Sequence, residues 1–399
     1  MALCCKLRSL ILRRQRFFST SIPISDSTPL LRSKEKSRVA LSLIRFEQNP
    51  ERIIEICRCT PLSPESHLDR LVYSKAVSKL RELNDHESIR SFVRESMANL
   101  NCNTERSVSH FIILYGQGGL VSDAVKLFDE MPDMGIERNV KTLNSLLFSC
   151  LLAREYGEMR RIFRDFPGKY GLDPNLETYN RILNGLCDSG NANEAHAILA
   201  EMERKGIKPN TTTFATVIEG FYAEQNFVEV GKTMNLMKKH GMEPGISIYN
   251  VRIQSLCKLK RSAEAKALLD GILSKGMQPN CATYGHLIYG FCREGKLDYA
   301  KSLFKEMVGM GLEPEAECCF TFVYYLCQGR DFEAALGVFK ECMAKKGWVP
   351  NITTMKLLVD GLASIGKVNE AKEIIGHMKK KFSRNADSWS EIEDRLPQV

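Results

Sequence analysis

From residue 105 onward, large apolar, small and turn-forming residues return at an interval of 35 positions. Aligned on that interval, the chain divides into units at 105–139, 140–175, 176–210, 211–245, 246–280, 281–315, 316–351 and 352–386. Place 24 holds Phe128, Phe163, Leu199, Met234, Leu269, Phe304, Phe339 and Ile375, and place 27 holds Met131, Phe166, Met202, Met237, Ile272, Met307, Cys342 and Met378. Place 20 is alanine in most units, as at Ala124, Ala195, Ala265, Ala300, Ala335 and Ala371. These places share one face of an α-helix, with the small residue where a neighbouring helix comes close. Gly206 with Pro209, Gly241 with Pro244, Gly276 with Pro279 and Gly311 with Pro314 close their units. Glycine takes the left-handed conformation after the last helical turn, and proline keeps the helix from resuming. The first half of a unit, such as Thr178 to Cys187, predicts a second helix, joined to the first through a turn such as Asp188-Ser189-Gly190-Asn191. One hairpin cannot bury both of its apolar faces, so the units must stack. The pattern therefore predicts an all-α solenoid of about 8 to 10 hairpins, with helix A lining one surface and helix B the other.

The flanks carry weaker versions of the unit. Residues 70–104 keep Tyr73 and Phe92 but lose the closing glycine and proline, and residues 33–60 form a short hairpin broken near Asn49-Pro50. Residues 33–104 are thus expected to cap the first face, and the tail 387–399, with Trp389, the last. An apolar content of 44% excludes disorder as the main state. The longest apolar run, Leu143 to Ala153, is interrupted by Asn144 and two serines and falls short of a membrane span. No membrane partner is expected.

Charge changes the picture only at the start. Of the formal +8, residues 1–18 hold +5 in Lys6, Arg8, Arg13, Arg14 and Arg16 with no acid, which leaves +3. Acid-free, Arg-rich and Ser-containing, with leucines at helical spacing, this segment is expected to be a transit peptide to the mitochondrial matrix, cleaved after Phe18 and followed by a flexible linker over 19–32. The remainder is mildly basic, so nucleic-acid binding must come from local patches.

Fourteen cysteines in a matrix-directed chain are expected to stay largely reduced. Cys187, Cys257, Cys292 and Cys327 recur at multiples of the repeat, no C-x-x-C occurs, and they read as small buried hydrophobes rather than metal ligands. Appended enzymes are excluded by residues. No H-x-E with C-x-x-C exists for a zinc deaminase, and no G-x-x-x-x-G-K-[ST] loop occurs. No strand-rich segment remains to house a nuclease. Lone histidines such as His110, His196 and His286 fall within repeat helices and read as packing or surface residues. The chain is read as a non-enzyme with no cofactor, metal or small-molecule substrate.

The stretches Thr178-Tyr179-Asn180, Glu201-Met202 and Gly206-Ile207-Lys208-Pro209-Asn210, and again Tyr249-Asn250 with Gly276-Met277-Gln278-Pro279-Asn280, resemble the pentatricopeptide repeat (PPR) family, in its plain class of near-35-residue units. The W-L-G-Y pattern of tetratricopeptide arrays is absent. The resemblance implies a right-handed superhelix. Tyr249 to Lys258, together with Ser33-Lys34-Glu35-Lys36-Ser37, further resembles a small group of plant mitochondrial PPR proteins that are components of the mitochondrial ribosome.

Family members bind single-stranded RNA along helix A, one base per repeat, through the fifth and last residues of each unit. By that resemblance the base-reading candidates are Ser109 with Asn139, Asn144 with Asn175, Asn180 with Asn210, and Asn250 with Asn280. The first pair implies adenine and the Asn-Asn pairs imply pyrimidines. An asparagine before helix A equally suits a helix N-cap, which is the competing role. Ala215 with Gly245, Gly285 with Glu315, Phe320 with Asn351 and Lys356 with Ala386 match no recognised combination. Second places, where family members present valine to sandwich a base, are Lys141, Glu177, Thr212, Ser247, Ala282, Glu317 and Thr353. Since a good stacking platform is worth roughly 1–3 kcal/mol per base, affinity for a free strand should be reduced. Lys258 and Arg293 share place 13 and, with Lys260, Arg261 and Lys296, are the candidates for phosphate contact. Arg154, Arg160, Arg161 and Arg164 form a further basic cluster near a B helix, suited to duplex RNA or an acidic protein. The expected function is a structural role in the mitochondrial ribosome, contacting rRNA and ribosomal proteins in support of translation. The alternatives are a free mRNA-binding factor that stabilises transcripts or aids translation, and a protein-only scaffold.

Overall fold

The computed structural model describes residues 29–58, 66–99, 104–343, 352–381, 386–394 and 396, and among these it contains 21 α-helices and no strand. The expected transit peptide and its cleavage point lie outside the described residues, as does Asn351. The chain forms two compact units, residues 1–209 and residues 210–399.

The first unit opens with the helices Pro29–Ile44 and Pro50–Arg58, followed by His67–Glu82 and His86–Asn99. The opening helix begins inside the span expected to be linker, four residues ahead of position 33. Ser37 donates to the buried carboxylate of Asp69, tying the first of these helices to the third. Three hairpins continue the unit: Glu105–Gln117 with Val121–Glu130, Val140–Ala153 with Tyr156–Tyr170, and Leu176–Asp188 with Ala195–Arg204. Arg81 donates to the backbone oxygens of Gln117 at 2.9 Å and Leu152 at 3.2 Å, so one cation serves the C-terminal ends of two successive A helices. His110 packs against Tyr73 and Phe111, and burial holds its pKa down at about 4, as expected of a packing residue rather than an acid–base group.

The second unit repeats the hairpin with Thr211–Ala223 and Phe227–Lys239, Ile246–Lys258 and Ser262–Ser274, Cys281–Arg293 and Leu297–Gly309, Ala316–Gln328 and Phe332–Met343, and Ile352–Ser364 and Val368–Lys381. A last helix, Ala386–Glu393, buries Trp389. In each unit the alanines of place 20 and the residues of place 27 are buried, which makes the B-helix stripe part of that unit's core. A helices pack on A helices of the next repeat, in one place closely enough to require glycine. A Cβ on Gly116 would come within 2.3 Å of the Ser149 backbone.

Both ends of the hairpin turn through the left-handed region, but they differ in what occupies it. Helix B ends at Gly135, Gly171, Gly206, Gly241, Gly276 and Gly311, all at positive φ. The amide one residue beyond then reaches back to the last turn, as Met277 N donates to Ile272 O at 3.1 Å. Helix A ends in the same geometry at Gly119, Gly190, Gly295 and Gly366, but also at Asn84, Arg154, Gln225, Lys260 and Arg330.

Cysteine chemistry needs one correction. Cys257, Cys292 and Cys327 are free and buried, with burial pushing their thiols up to about 11, about 12 and about 12, so they behave as hydrophobes. Cys187 is half-buried. Cys319 and Cys342, however, form a disulfide with a Cα–Cα separation of 6.5 Å. They hold places 4 and 27 of one repeat, which face each other across the hairpin. Among the described residues no group of three or more His, Cys, Asp or Glu is placed to hold a metal ion.

Gly276→Ala forces a Cβ into the left-handed region and is expected to lower stability by about 1 kcal/mol, whereas Lys260→Gly relieves the same strain and should raise it. Opposite displacements of the urea midpoint check the pair; equal signs would contradict the assignment of both turns.

Candidate nucleic-acid interface

The base-reading candidates fall at the N-terminal ends of A helices, where four backbone N–H groups lack partners within the helix. Asn139, Asn175, Asn210 and Asn280 are the N-caps of the helices that follow them. Each sits in a capping box with a threonine three residues on: Thr142, Thr178, Thr213 and Thr283. Asn280 Oδ1 accepts from Thr283 N at 3.1 Å, while Thr283 Oγ1 accepts from Asn280 N at 3.1 Å. The backbone N–H settles which end of the carboxamide is oxygen, since only oxygen can accept it.

The fifth-place asparagine of the preceding A helix joins this box. Asn250 Nδ2 donates to Asn280 Oδ1 at 3.1 Å, and Asn250 Oδ1 accepts from Thr283 Oγ1 at 2.7 Å. Asn144 repeats the arrangement with Asn175 Oδ1 at 3.2 Å and Thr178 Oγ1 at 2.7 Å. Both oxygens of such a pair are therefore engaged inside the protein. What remains for a ligand is N–H, two on the capping residue and one on the fifth-place residue, aimed at hydrogen-bond acceptors such as the carbonyl oxygens of pyrimidines.

The four pairs are not equivalent. Asn250 is half-buried and Asn280 exposed, so their donors are accessible. Asn144 is only 3% exposed, which shuts it off from a base unless the surface opens. Asn139 Nδ2 donates to Glu105 Oε2 at 2.7 Å, and no hydrogen bond joins Asn139 to Ser109, which is half-buried. Asn180 lies half-buried on the second turn of Leu176–Asp188 in the first unit, and Asn210 caps Thr211–Ala223 in the second. Gly245 and Glu315 are N-caps without a side-chain hydrogen bond, so the repeats they begin lack the box.

The phosphate candidates divide in the same way. Lys258 pairs with Glu219 at 2.7 Å, Arg261 with Glu264 at 2.6 Å, and Lys296 with Glu294 at 2.8 Å. Arg293, exposed at the end of its A helix, and Lys260, exposed on the turn, pair with no carboxylate among the described residues. Three of the four arginines of the basic cluster on the first unit are neutralised by neighbours: Arg160 pairs with Glu194, Arg161 with Glu158 and Arg164 with Asp165. Arg154 pairs with no carboxylate among the described residues.

Two features escape a reading of the sequence by places 2, 5 and last alone. One is the threonine of the box, whose signal is the recurrence of N-x-x-T at 139, 175, 210 and 280. The other is a run of exposed tyrosines, Tyr289 and Tyr324, at place 9 of two consecutive repeats.

Stacked helix-turn-helix units with capped A helices along one edge define a helical-repeat protein. Family profiles match it at residues 106–136, 126–189, 174–223, 247–277, 275–308 and 353–381, all described as PPR or pentatricopeptide repeats. A mitochondrial pentatricopeptide repeat-containing protein of Arabidopsis thaliana is 50% identical over 383 residues, covering 96% of this chain and 94% of that one. The chain belongs to the pentatricopeptide repeat family. The Arabidopsis thaliana small ribosomal subunit protein mS79 is 30% identical over 192 residues, about half of each chain (48%). The crystal structure of the maize pentatricopeptide repeat protein PPR10 shares the fold, with a TM-score of 0.53 and 20% identity over 94% of this chain and 53% of that one.

Replacing Asn280 by Ala removes a cap and is expected to cost about 1 kcal/mol of stability. Asn250→Ala leaves the cap in place and should cost less. Thermal unfolding of the two variants checks the order, and the reverse order would mean that the fifth-place residue, not the cap, anchors the pair.

Proposed function

We propose that this chain is a mitochondrial RNA-binding protein that carries out no reaction of its own and serves as a structural component of the mitochondrial ribosome in the matrix. Its helix-A face holds rRNA, and its other surfaces meet neighbouring ribosomal proteins. The observation that carries the RNA reading is the Asn250–Asn280 pair, in which the helix cap engages the oxygens and turns N–H donors outward. The second places offer no valine for sandwiching bases, which suits RNA already shaped by an assembly better than capture of a free strand. The mitochondrial relative supports the address, and likeness to a small-subunit protein supports the ribosomal setting.

Sedimentation of a mitochondrial extract tests this reading. The protein should travel with one ribosomal subunit after EDTA separates the two, and RNase should shift it to the top of the gradient. Its presence only in light fractions before any treatment removes the ribosomal role.

A second reading, a free factor that protects or helps translate an mRNA, is favoured by the Asn-Asn combinations at three repeats. It predicts preferential binding of an oligomer of the form A-Y-Y-any-Y, where Y is a pyrimidine, and relaxed base preference on substituting Asn180 and Asn250. Equal affinity for scrambled oligomers counts against it.

A further inference from the structure

The helices Cys281–Arg293 and Ala316–Gln328 carry a contiguous aromatic surface that base reading by carboxamides does not use. The Tyr289 and Tyr325 ring centroids are 6.3 Å apart at 69°, and those of Tyr324 and Tyr325 are 5.5 Å apart at 78°. Tyr289 is 42% exposed and Tyr324 is 38% exposed. No described residue hydrogen-bonds to any of the three hydroxyls. The Arg293 guanidinium lies 5.6 Å from the Tyr289 centroid and, unlike Lys258 with Glu219, pairs with no carboxylate among the described residues.

Register places these groups on the helix-A face. Tyr289 follows the fifth-place Gly285 by one turn and Arg293 by two, and Tyr324 follows the fifth-place Phe320 by one. Gly285 and Phe320 supply no carboxamide, so these two repeats lack the donors that Asn250 presents on the A helix just before them. Tyrosine rings offered to water beside an unpaired guanidinium are a poor use of surface for folding alone. They suit a flat ligand with a π-face and an attached anion, and every nucleotide of a single strand has both.

We propose that Tyr289, Tyr324 and Arg293 form a stacking site for single-stranded RNA, in which the rings take bases without regard to identity and the guanidinium takes an adjoining phosphate. The site rests on the reading that the helix-A face holds RNA. An aromatic and arginine surface also suits a protein partner. Continuity with the Asn250–Asn280 donors on the same face of the same unit and the absence of a carboxylate at Arg293 favour RNA.

The test uses the full chain and fluorescently labelled uridine and adenosine homopolymers, read by anisotropy at fixed salt. The double substitution Tyr289→Leu with Tyr324→Leu should weaken both homopolymers about 10-fold, and Tyr289→Phe with Tyr324→Phe should restore wild-type affinity because the rings remain. A 4-thiouridine strand should cross-link to one of the two tyrosines. Unchanged affinity in the leucine pair, with Asn250→Ala weakened, overturns the stacking site and leaves the RNA reading standing. So does loss in the leucine pair of a co-purifying protein alone. Failure of the wild-type chain to bind either homopolymer, in a sample whose circular dichroism shows it folded, removes this site, whereas the ribosomal reading is removed by the sedimentation result and not by this one.

Discussion

A carboxamide has one oxygen and two N–H bonds, and the edge of this molecule is built on that asymmetry. An A helix begins with backbone donors that need an acceptor, and the asparagine before it supplies its oxygen. With Asn280 Oδ1 fixed by Thr283, the neighbouring Asn250 meets that oxygen through its own N–H, and its oxygen turns to the threonine hydroxyl. The requirement that starts the helix thereby sets the polarity of the surface beside it. Folding and ligand chemistry are joined in a single side chain.

The stack makes this repetition possible. Place 27 and the alanines of place 20 bury a stripe within each compact unit, and each hairpin lends its neighbour the apolar area it cannot cover alone. Charge is then distributed locally. Several lysines and arginines near the A-helix ends meet an acid from their own turn or from the adjacent repeat, as Arg261 meets Glu264 and Lys258 meets Glu219. Exposed pairs of this kind contribute little to stability, but they cancel field, so the unpaired cations stand out.

The fold was legible because helical periodicity and turn chemistry repeat: Phe128, Leu269 and Phe304 at one place, and Gly206, Gly241, Gly276 and Gly311 at another. The site was legible in part. Asparagine at the fifth and last places could be found by register, and its capping role was the recognised competitor. Burial of Asn144 could not be found that way, since it depends on how neighbouring side chains close over the helix. Partners one repeat away, such as Glu219 for Lys258, become visible only when the alignment is read across units instead of down them. The same comparison reveals Cys319 facing Cys342, a pairing hidden by the assumption that thiols in such a chain act singly. Linker and helix differ at Pro29 because proline is well suited to the first position of a helix, a signal that composition alone does not carry.

The two ends of the hairpin differ in the freedom they leave to substitution. Where helix B stops, the described turns use glycine, and the backbone there can present only itself. Where helix A stops, five turns bear the strain of a side chain, and three of those side chains are Arg154, Lys260 and Arg330. Within each hairpin one turn is consequently chemically silent while the other is writable, so that a lineage of such proteins can vary its electrostatic signature repeat by repeat without disturbing the scaffold that carries it.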